Sequence, residues 1–241
     1  CFAEKNDSKK ITLIIAGGCD SQSHNFIKNL LREHRIARIT KLFINFEDNL
    51  KTHLYRASNV YAAPIDNFQE TFGISVVEAM AHQCTAVISD FNGYSEIVDD
   101  GINGIKIPTY WADITKEFAG VSEIMNFPTW QLLLSQSVAV DSDKMLNAFQ
   151  ELLDNPEKCN AIGMEAKKKV EQKYFWSNII KQYCSLWDEL AKQAASYSAD
   201  IKKTENPWEV DFWKVFSHYP SSILSEKTRL SISTYGKEVI D

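Results

Sequence analysis

The feature that most constrains the fold is a stretch in which two short apolar runs flank a longer amphipathic one. Residues 60–64 (Val-Tyr-Ala-Ala-Pro) and 85–88 (Thr-Ala-Val-Ile) have the length and the β-branched or aromatic content of buried strands. Between them the chain opens a helix, in which Ile74, Val77 and Ala81 fall on one face. A helix between two buried strands is typical of a βαβ unit, so we expect that face to lie on a sheet.

Two glutamates flank the start of this helix. Glu70 lies in the loop after the first strand, and Glu78 lies within the helix among apolar residues, where a carboxylate is costly unless donors meet it. The free backbone N–H groups of residues 71–74 carry a partial charge of about +0.5, and Gly73 would let a ligand approach them closely. The arrangement fits an anion at the helix tip between two carboxylates. On these local grounds alone, an ordinary crossover helix with two surface glutamates fits equally well.

Strand and helix patterns alternate from residue 11 to residue 108. Further strands are predicted at residues 11–15, 39–44 and 105–108, and further helices from Ser21 or Ser23 to His34, from Glu47-Asp48, and at residues 96–98. Because this alternation is typical of a parallel sheet with helices on both faces, we expect an α/β fold with one such sheet over residues 11–108. Ligands bind open α/β sheets at the carboxyl ends of the strands, and Glu70 is expected at that edge.

The second half of the chain has a different organisation. Residues 109–137 show no clear period and are predicted to be an insertion with one or two short helices. Longer helices are predicted at residues 144–153, from Pro156 onward, and at residues 177–195. We therefore assign residues 10–195 to one domain and residues 196–241 to a C-terminal tail. The tail is rich in aromatic residues, so we expect it to pack on a domain rather than to form a disordered linker.

Composition argues against several classes of function. The 241 residues are 44% hydrophobic and carry a net charge of −6, so a nucleic-acid partner is not expected. No apolar run approaches the ~20 residues of a transmembrane segment, and the N-terminus lacks the pattern of a signal peptide. The five cysteines lie far apart without a C-x-x-C pair, and the histidines lack the spacing of metal ligands. We therefore expect reduced thiols, a cytoplasmic location and no metal site.

The two glutamates also carry a resemblance to a known family. The spacing Glu70-x7-Glu78 resembles the E-x7-E motif of retaining GT-B-fold glycosyltransferases of family 4, the glycosyl transferases group 1. The Asn92-Gly93 turn resembles the segment that follows the motif in that family. The likeness covers residues 10–108 and, more loosely, residues 140–190. It implies a Rossmann-like domain, the C-terminal donor-binding domain of such an enzyme, with C-terminal helices and an aromatic tail added.

In that family, this half of the molecule holds a nucleotide-diphosphate sugar, and no essential metal or other cofactor is implied. The resemblance implies that Glu70 is catalytic and supports the anomeric carbon of the donor sugar, and that Glu78 binds the ribose hydroxyls. The loop that contains Phe46 and Asp48 would line the nucleobase. The remaining donor-binding positions, which would hold the diphosphate through their backbone N–H groups, are Thr71, Phe72, Gly73 and Ile74.

Two parts of the family's pattern are missing from this sequence. Ile11 begins what matches the family's second strand, so the first strand, with the Arg and Lys that neutralise the diphosphate, is not present, nor is the acceptor-binding domain. Cys1 in place of Met also suggests a piece of a longer polypeptide. We therefore expect the donor half of a hexosyltransferase, inactive and at best a weak nucleotide binder by itself. Its open sheet edge could pair with another copy or with the tail, and the complete enzyme could associate with a membrane surface.

Two other interpretations remain open. The fold could serve a nucleotide-sugar-binding or scaffold protein without turnover, or a GT-B-fold sugar-nucleotide epimerase. The sequence does not predict which nucleotide, sugar or acceptor is used, because a fold hosts many substrates.

Overall fold

The computed structural model describes residues 2–6, 11–114, 125–196 and 212–232. These residues form an α/β fold in which helices pack on both faces of a parallel sheet, as the sequence predicts. The strands are β1 (Leu13–Gly17), β2 (Thr40–Ile44), β3 (Val60–Ala63), β4 (Thr85–Ser89), β5 (Gly104–Ile107), β6 (Thr109–Trp111), β7 (Val138–Val140) and β8 (Ser222–Ile223). The helices are α1 (Phe2–Lys5), α2 (Ser21–Glu33), α3 (Asp48–Arg56), α4 (Ile74–Ala81), α5 (Tyr94–Ile97), α6 (Phe127–Gln136), α7 (Ser142–Asp154), α8 (Pro156–Lys173), α9 (Trp176–Ser196) and α10 (Phe212–Phe216), and a 3₁₀ turn spans Ala37–Ile39.

The centre of the fold is a parallel sheet in the order β3-β4-β5. All residues of β4 are buried, as expected for a parallel strand that helices cover on both faces. Ala86 and Ile88 pack with α4, α5 and α8, whereas Val87 faces the other side and packs with α7 and α8. The loop after β3 leaves this sheet at its carboxyl edge, so Glu70 lies at the edge that the alternation predicts.

The expectation of one parallel sheet over residues 11–108 is wrong. β1 and β2 pair with each other, from Leu13 opposite Thr40 onward, and form a separate two-stranded sheet. Among the described residues, no second strand pairs with β1, and β3 pairs only with β4. β1 and β3 share no ladder of backbone hydrogen bonds, which only neighbouring strands, ~4.8 Å apart, can form. Leu13 is accordingly 38% exposed, although β1 is an apolar strand.

A third sheet follows the central one, where the sequence predicts an insertion with short helices. β6 pairs antiparallel with β7 and parallel with β8, which belongs to the C-terminal tail. α6 is a short helix of the predicted kind, and residues 115–124 lie outside the described part. The described tail strand, β8, joins β6 and not β1. The sequence does not reveal these strands, because two or three residues are too few to show a period.

The buried face of α4 differs only in part from the predicted one, because Val77 and Ala81 are partly buried and pack against the core as expected. Val76, Ala79 and Met80 are buried, whereas Ile74 is 66% exposed. Ile74 is the first residue of the helix, and most of its side chain is in contact with solvent. Ile74 therefore belongs to the surface around the helix start, and the next turns of α4 supply the core contacts.

Replacing Ile88 by alanine should destabilise the protein by about 2–5 kcal/mol, because the side chain is fully buried in β4 and its loss leaves a cavity. The matched control is Ile102→Ala, in a turn where the side chain is 62% exposed and where a change of about 0.5 kcal/mol or less is expected. Urea unfolding followed by circular dichroism measures the free energy of unfolding of both variants. Equal losses would mean that β4 does not lie at the centre of the core.

Candidate functional site

The carboxyl end of β3 leads into a loop, residues 64–73, that precedes α4 and contains Glu70; we call it the β3–α4 loop. One carboxylate oxygen of Glu70, Oε1, accepts hydrogen bonds from the backbone N–H groups of Gly73 at 2.8 Å and Phe72 at 3.4 Å. These N–H groups are among those that the resemblance assigns to a diphosphate. The start of α4 therefore holds an anionic oxygen in this structure, and that oxygen belongs to the chain itself.

The turn into α4 depends on a glycine at position 73. Gly73 has a φ of +90°, in the left-handed region, and an added Cβ would overlap the ring of Tyr94. The Tyr94 ring is buried, and burial raises the pKa of its phenol to about 12. An alanine at position 73 would have to displace this ring, so the turn and the Tyr94 ring fix each other's position.

The β3–α4 loop lies against residues 91–94, which lead into α5. The side-chain amide of Asn92 donates a hydrogen bond to the carbonyl oxygen of Asn67 at 2.8 Å. At Gly93 the two backbones are so close that an added Cβ would overlap the carbonyl oxygen of Thr71. The loop and residues 91–94 are therefore one packed unit, in which the backbone of one segment rests directly on the backbone of the other.

Glu78 lies in the second turn of α4 and faces α3. Its Oε2 accepts a hydrogen bond from the Tyr55 hydroxyl at 3.1 Å and pairs with the Lys51 ammonium at 2.6 Å. The side chains of Lys51 and Glu78 are 43% and 36% exposed, so the pair contributes about 1 kcal/mol or less to stability. Glu78 therefore has the donors that a carboxylate among apolar residues requires.

The two predicted carboxylates both affect the pKa of one phenol, that of Tyr61 in β3. Burial raises the pKa of the Tyr61 phenol, and a hydrogen bond with the Ser75 hydroxyl lowers it. The negative charges of Glu78 and Glu70 raise this pKa further, and the positive charge of Lys51 lowers it. Charges act on a phenol in this way when they are close to it. Glu70, Glu78 and Lys51 thus all contribute to the electrostatic environment of the Tyr61 phenol.

Lys51 is a candidate site residue that sequence reasoning misses. The sequence predicts no cation beside α4. In the structure, however, Lys51 in the first turn of α3 pairs with Glu78 of α4. No local pattern identifies the contact, because the two residues lie on different helices. The sequence gives one indirect signal. Lys51 lies near the start of a helix that follows a strand, and α4 also follows a strand, so both helices are expected to begin at the same kind of edge.

Phe46 and Asp48, the predicted nucleobase residues, lie in the β2–α3 loop and at the first position of α3. Asp48 is exposed and Phe46 is half-buried. Among the described residues, the Glu70 side chain forms its hydrogen bonds with Phe72 and Gly73, and neither Phe46 nor Asp48 takes part in them. Instead, α3 approaches α4 through Lys51 and Tyr55.

The exposed surface around the helix start combines apolar side chains with a cation. Phe72 is 44% exposed, and its ring meets the Tyr174 ring edge-on, with the centroids 5.8 Å apart. The Lys173 ammonium lies 5.6 Å from the centre of the Tyr174 ring. Thr71 and Ile74 are also exposed here. An apolar wall beside a backbone anion site suits a ligand that has both a charged part and a flat part.

A second carboxyl group on the β3–α4 loop, that of Asp66, is not predicted by the sequence as a site residue. Partial burial raises the pKa of Asp66 above its ordinary value. Carboxyl groups with raised pKa values are common at functional sites. The sequence does not distinguish Asp66 from an ordinary turn residue, because Asp is frequent in turns.

The described residues contain neither a metal-ligand cluster nor a disulfide. No three His, Cys, Asp or Glu side chains among them are arranged to hold a metal ion. Cys19, Cys84, Cys159 and Cys184 are free thiols. No helix in the described ranges combines the length and the apolar character that crossing a membrane requires.

Two glycosyltransferases have sequences similar to this chain over part of their own length. An uncharacterised glycosyltransferase of Methanocaldococcus jannaschii is 28% identical over 188 residues, which cover 76% of this chain and 38% of the relative. A D-inositol 3-phosphate glycosyltransferase of Corynebacterium aurimucosum is 24% identical over 120 residues, which cover 47% of this chain and 28% of the relative. The chain thus spans well under half the length of these relatives.

Solved structures share the fold. Sucrose-phosphate synthase from Thermosynechococcus elongatus has a TM-score of 0.55 and 22% identity, over 77% of this chain and 39% of that one. Anabaena HepE in complex with UDP-glucose has a TM-score of 0.53 and 18% identity, over 74% of this chain and 41% of that one. The C-terminal domain of a glycosyl transferase group 1 family protein from Francisella tularensis has a TM-score of 0.50 and 18% identity, over 73% and 74%. The fold is that of GT-B glycosyltransferase C-terminal domains.

The family itself is shown by the sequence match. The model of the family described as glycosyl transferases group 1 matches residues 2–126, more than half of the 241 residues. The match includes the β3–α4 loop, α4 and residues 91–94, which form the candidate site. The resemblance is confirmed at this level: the chain belongs to the glycosyl transferases group 1 family of GT-B glycosyltransferases.

Proposed function

We propose that this chain is the donor-binding part of a retaining, family 4 glycosyltransferase, which transfers a hexose from a nucleotide-diphosphate sugar to an acceptor. The observation that carries the proposal is the Glu70 carboxylate on the N–H groups at the start of α4, the helix whose second turn holds the Glu78–Lys51 pair. The similar structure of Anabaena HepE is a complex with UDP-glucose, which supports a nucleotide sugar as the ligand.

The start of α4 supplies contacts that a diphosphate needs. The Glu70 carboxylate oxygen lies 2.8 Å from the Gly73 nitrogen, so the backbone is already shaped to bind an anionic oxygen. A diphosphate at this point would displace the Glu70 carboxylate, because two anions repel each other at such a short distance. Glu70 would then turn toward the sugar that is attached to the diphosphate.

The displaced carboxylate would meet a charge that develops during transfer. Positive charge appears at the anomeric carbon while negative charge grows on the departing diphosphate. The Glu70 carboxylate would stabilise the first charge, and the N–H groups at the start of α4 would stabilise the second. The Lys51 ammonium, 2.6 Å from Glu78, offsets the negative charge of that second carboxylate. The proposal invokes no essential metal ion.

Glu78 is the proposed partner of the ribose hydroxyls, because neighbouring hydroxyls suit a carboxylate acceptor. The ion pair with Lys51 and the hydrogen bond from Tyr55 hold the carboxylate in one orientation before a ligand arrives. The Tyr55 phenol remains a neutral donor, since burial raises its pKa well above its ordinary value. Phe46 and Asp48, on the loop that leads into the same helix, remain the proposed nucleobase residues.

Replacing Glu70 by glutamine should lower turnover by about 100- to 1,000-fold, because the amide keeps the shape of the side chain but loses the stabilising charge. UDP binding should be unchanged or tighter, because the amide no longer competes as an anion for the Gly73 N–H. UDP release from UDP-glucose by the complete polypeptide measures turnover, and calorimetric titration with UDP measures affinity. Other nucleotide sugars take the place of UDP-glucose where it is not the donor.

Glu157→Gln, at an exposed position in the first turn of α8, is the matched control and should alter neither turnover nor affinity. Full turnover in Glu70→Gln would remove Glu70 from catalysis. NMR analysis of the product tests the reaction type, because a retaining enzyme keeps the anomeric configuration of the donor sugar. An inverted product would contradict a retaining transferase, and an isomerised nucleotide sugar would indicate an epimerase.

Replacing Glu78 by glutamine should weaken UDP binding by about 1–3 kcal/mol, the usual worth of a hydrogen bond to a charged group. The melting temperature should stay nearly constant, because the Lys51–Glu78 pair is partly exposed. Glu151→Gln is the matched control, since Glu151 forms an ion pair with Lys158 at 2.5 Å and at similar exposure, away from the site. Calorimetry and thermal unfolding of the complete polypeptide measure both effects. A lower melting temperature with unaltered UDP affinity would identify the Glu78 pair as structural.

A further inference from the structure

Phe68, two residues before Glu70, is only 4% exposed in the β3–α4 loop. Four aromatic rings enclose its ring, and we call the five rings together the aromatic cage. The four rings, with the distances of their centroids from that of Phe68, are Phe91 (5.1 Å), Trp111 (5.1 Å), Phe216 (6.0 Å) and Tyr219 (6.4 Å). The last two belong to the C-terminal segment, residues 212–224. A distant part of the chain thus anchors the loop that carries Glu70.

The C-terminal segment is held in place by contacts that do not involve Phe68. The Ser221 hydroxyl donates to Oδ2 of Asp90 at 2.6 Å, and the N–H of Leu224 donates to the carbonyl oxygen of Trp111 at 2.9 Å. β8 also pairs with β6, and the Trp213 ring lies 4.4 Å from the Trp111 ring between centroids. The segment is therefore an integral part of the fold, and it can hold its two cage rings in fixed positions.

The position of Phe68 determines the turn that carries Glu70. The N–H of Glu70 donates to the carbonyl oxygen of Asn67 at 3.4 Å, so Phe68 lies within this turn. The side chain of Asn92 donates to the same carbonyl oxygen at 2.8 Å. Asn67 and Gln69, on either side of Phe68, are exposed, so Phe68 is the apolar anchor of the turn. The turn cannot shift far without opening the aromatic cage.

We infer that Phe216 and Tyr219 are positioning residues, which act through Phe68 to hold the β3–α4 loop, and Glu70 with it, in one conformation. Their ring contacts are with Phe68 and with other aromatic rings of the chain, so they act through the loop rather than on a ligand. The C-terminal segment lies outside the residues that match the family model and is nevertheless a support of the candidate site. The consequence for catalysis rests on the proposed function of Glu70, whereas the ordering of the loop does not.

Hydrogen–deuterium exchange of the 241-residue chain tests this inference without any nucleotide. In Tyr219→Ala, the amides of residues 65–73 should exchange about tenfold faster, because the cage no longer closes over Phe68. The amides of β4 should keep their wild-type rates within about twofold, because that strand lies in a separate part of the core. Tyr219→Phe keeps the ring and should restore wild-type exchange in the loop.

Val215→Ala is the matched control, since Val215 lies on α10, four residues before Tyr219, is 45% exposed and should leave the loop unchanged. Tyr219→Leu fills part of the space and replaces Tyr219→Ala if the alanine variant unfolds; it should accelerate exchange in the loop to a smaller extent. Equal acceleration in the loop and in β4 would reveal a general loss of stability. That result, or unchanged exchange in the loop, would overturn the inference.

This inference and the proposed function can fail separately. If exchange in the loop is faster in Tyr219→Ala but the wild-type protein binds no nucleotide, the positioning role is supported and the proposed function is contradicted. If exchange in the loop is unchanged in Tyr219→Ala but the wild-type protein binds UDP, the positioning role is contradicted and the proposed function is supported. In an active complete polypeptide, Tyr219→Ala should lower kcat more than it raises KM for the nucleotide sugar, because the loop carries Glu70.

Discussion

The close contact between the β3–α4 loop and residues 91–94 is the constraint on which the rest of the site depends. At Gly93 the two backbones meet without room for a side chain. The Tyr94 ring occupies the space beside Gly73, so the turn into α4 has a single shape. The N–H groups at the start of α4 therefore point to a fixed place, whether the Glu70 carboxylate or a phosphate oxygen occupies it.

Two side-chain networks connect this backbone unit to the rest of the protein. On one side, Lys51 and Tyr55 of α3 hold the Glu78 carboxylate, so α3 and α4 share one electrostatic cluster. On the other side, the aromatic cage joins Phe68 to the C-terminal segment. A partly exposed ion pair adds little stability but fixes an orientation, whereas enclosed aromatic rings contribute both burial and geometry. The site thus has a rigid backbone and two independent side-chain supports.

The β3–α4–β4 unit could be predicted from the sequence because each of its elements carries a complete local pattern. The division of the strands into separate sheets could not be predicted, because the apolar run at residues 11–15 indicates a strand but not its neighbours. The contact between Lys51 and Glu78 and the cage around Phe68 could not be predicted either, since they join positions that are far apart in the sequence and share no period. Composition indicated only that the aromatic residues of the tail would pack somewhere; their position against the loop of Glu70 is a property of the fold.

The central claim, that the N–H groups at the start of α4 bind the diphosphate of a nucleotide, is tested most directly by NMR. Titration of the ¹⁵N-labelled 241-residue chain with UDP reports on each backbone N–H separately, and it detects even millimolar binding, near −4 kcal/mol. The amide signals of residues 70–75 should shift most, with Gly73 foremost, while those of α9 stay in place. Larger shifts elsewhere in the chain, or no shifts at several millimolar UDP, would contradict the claim.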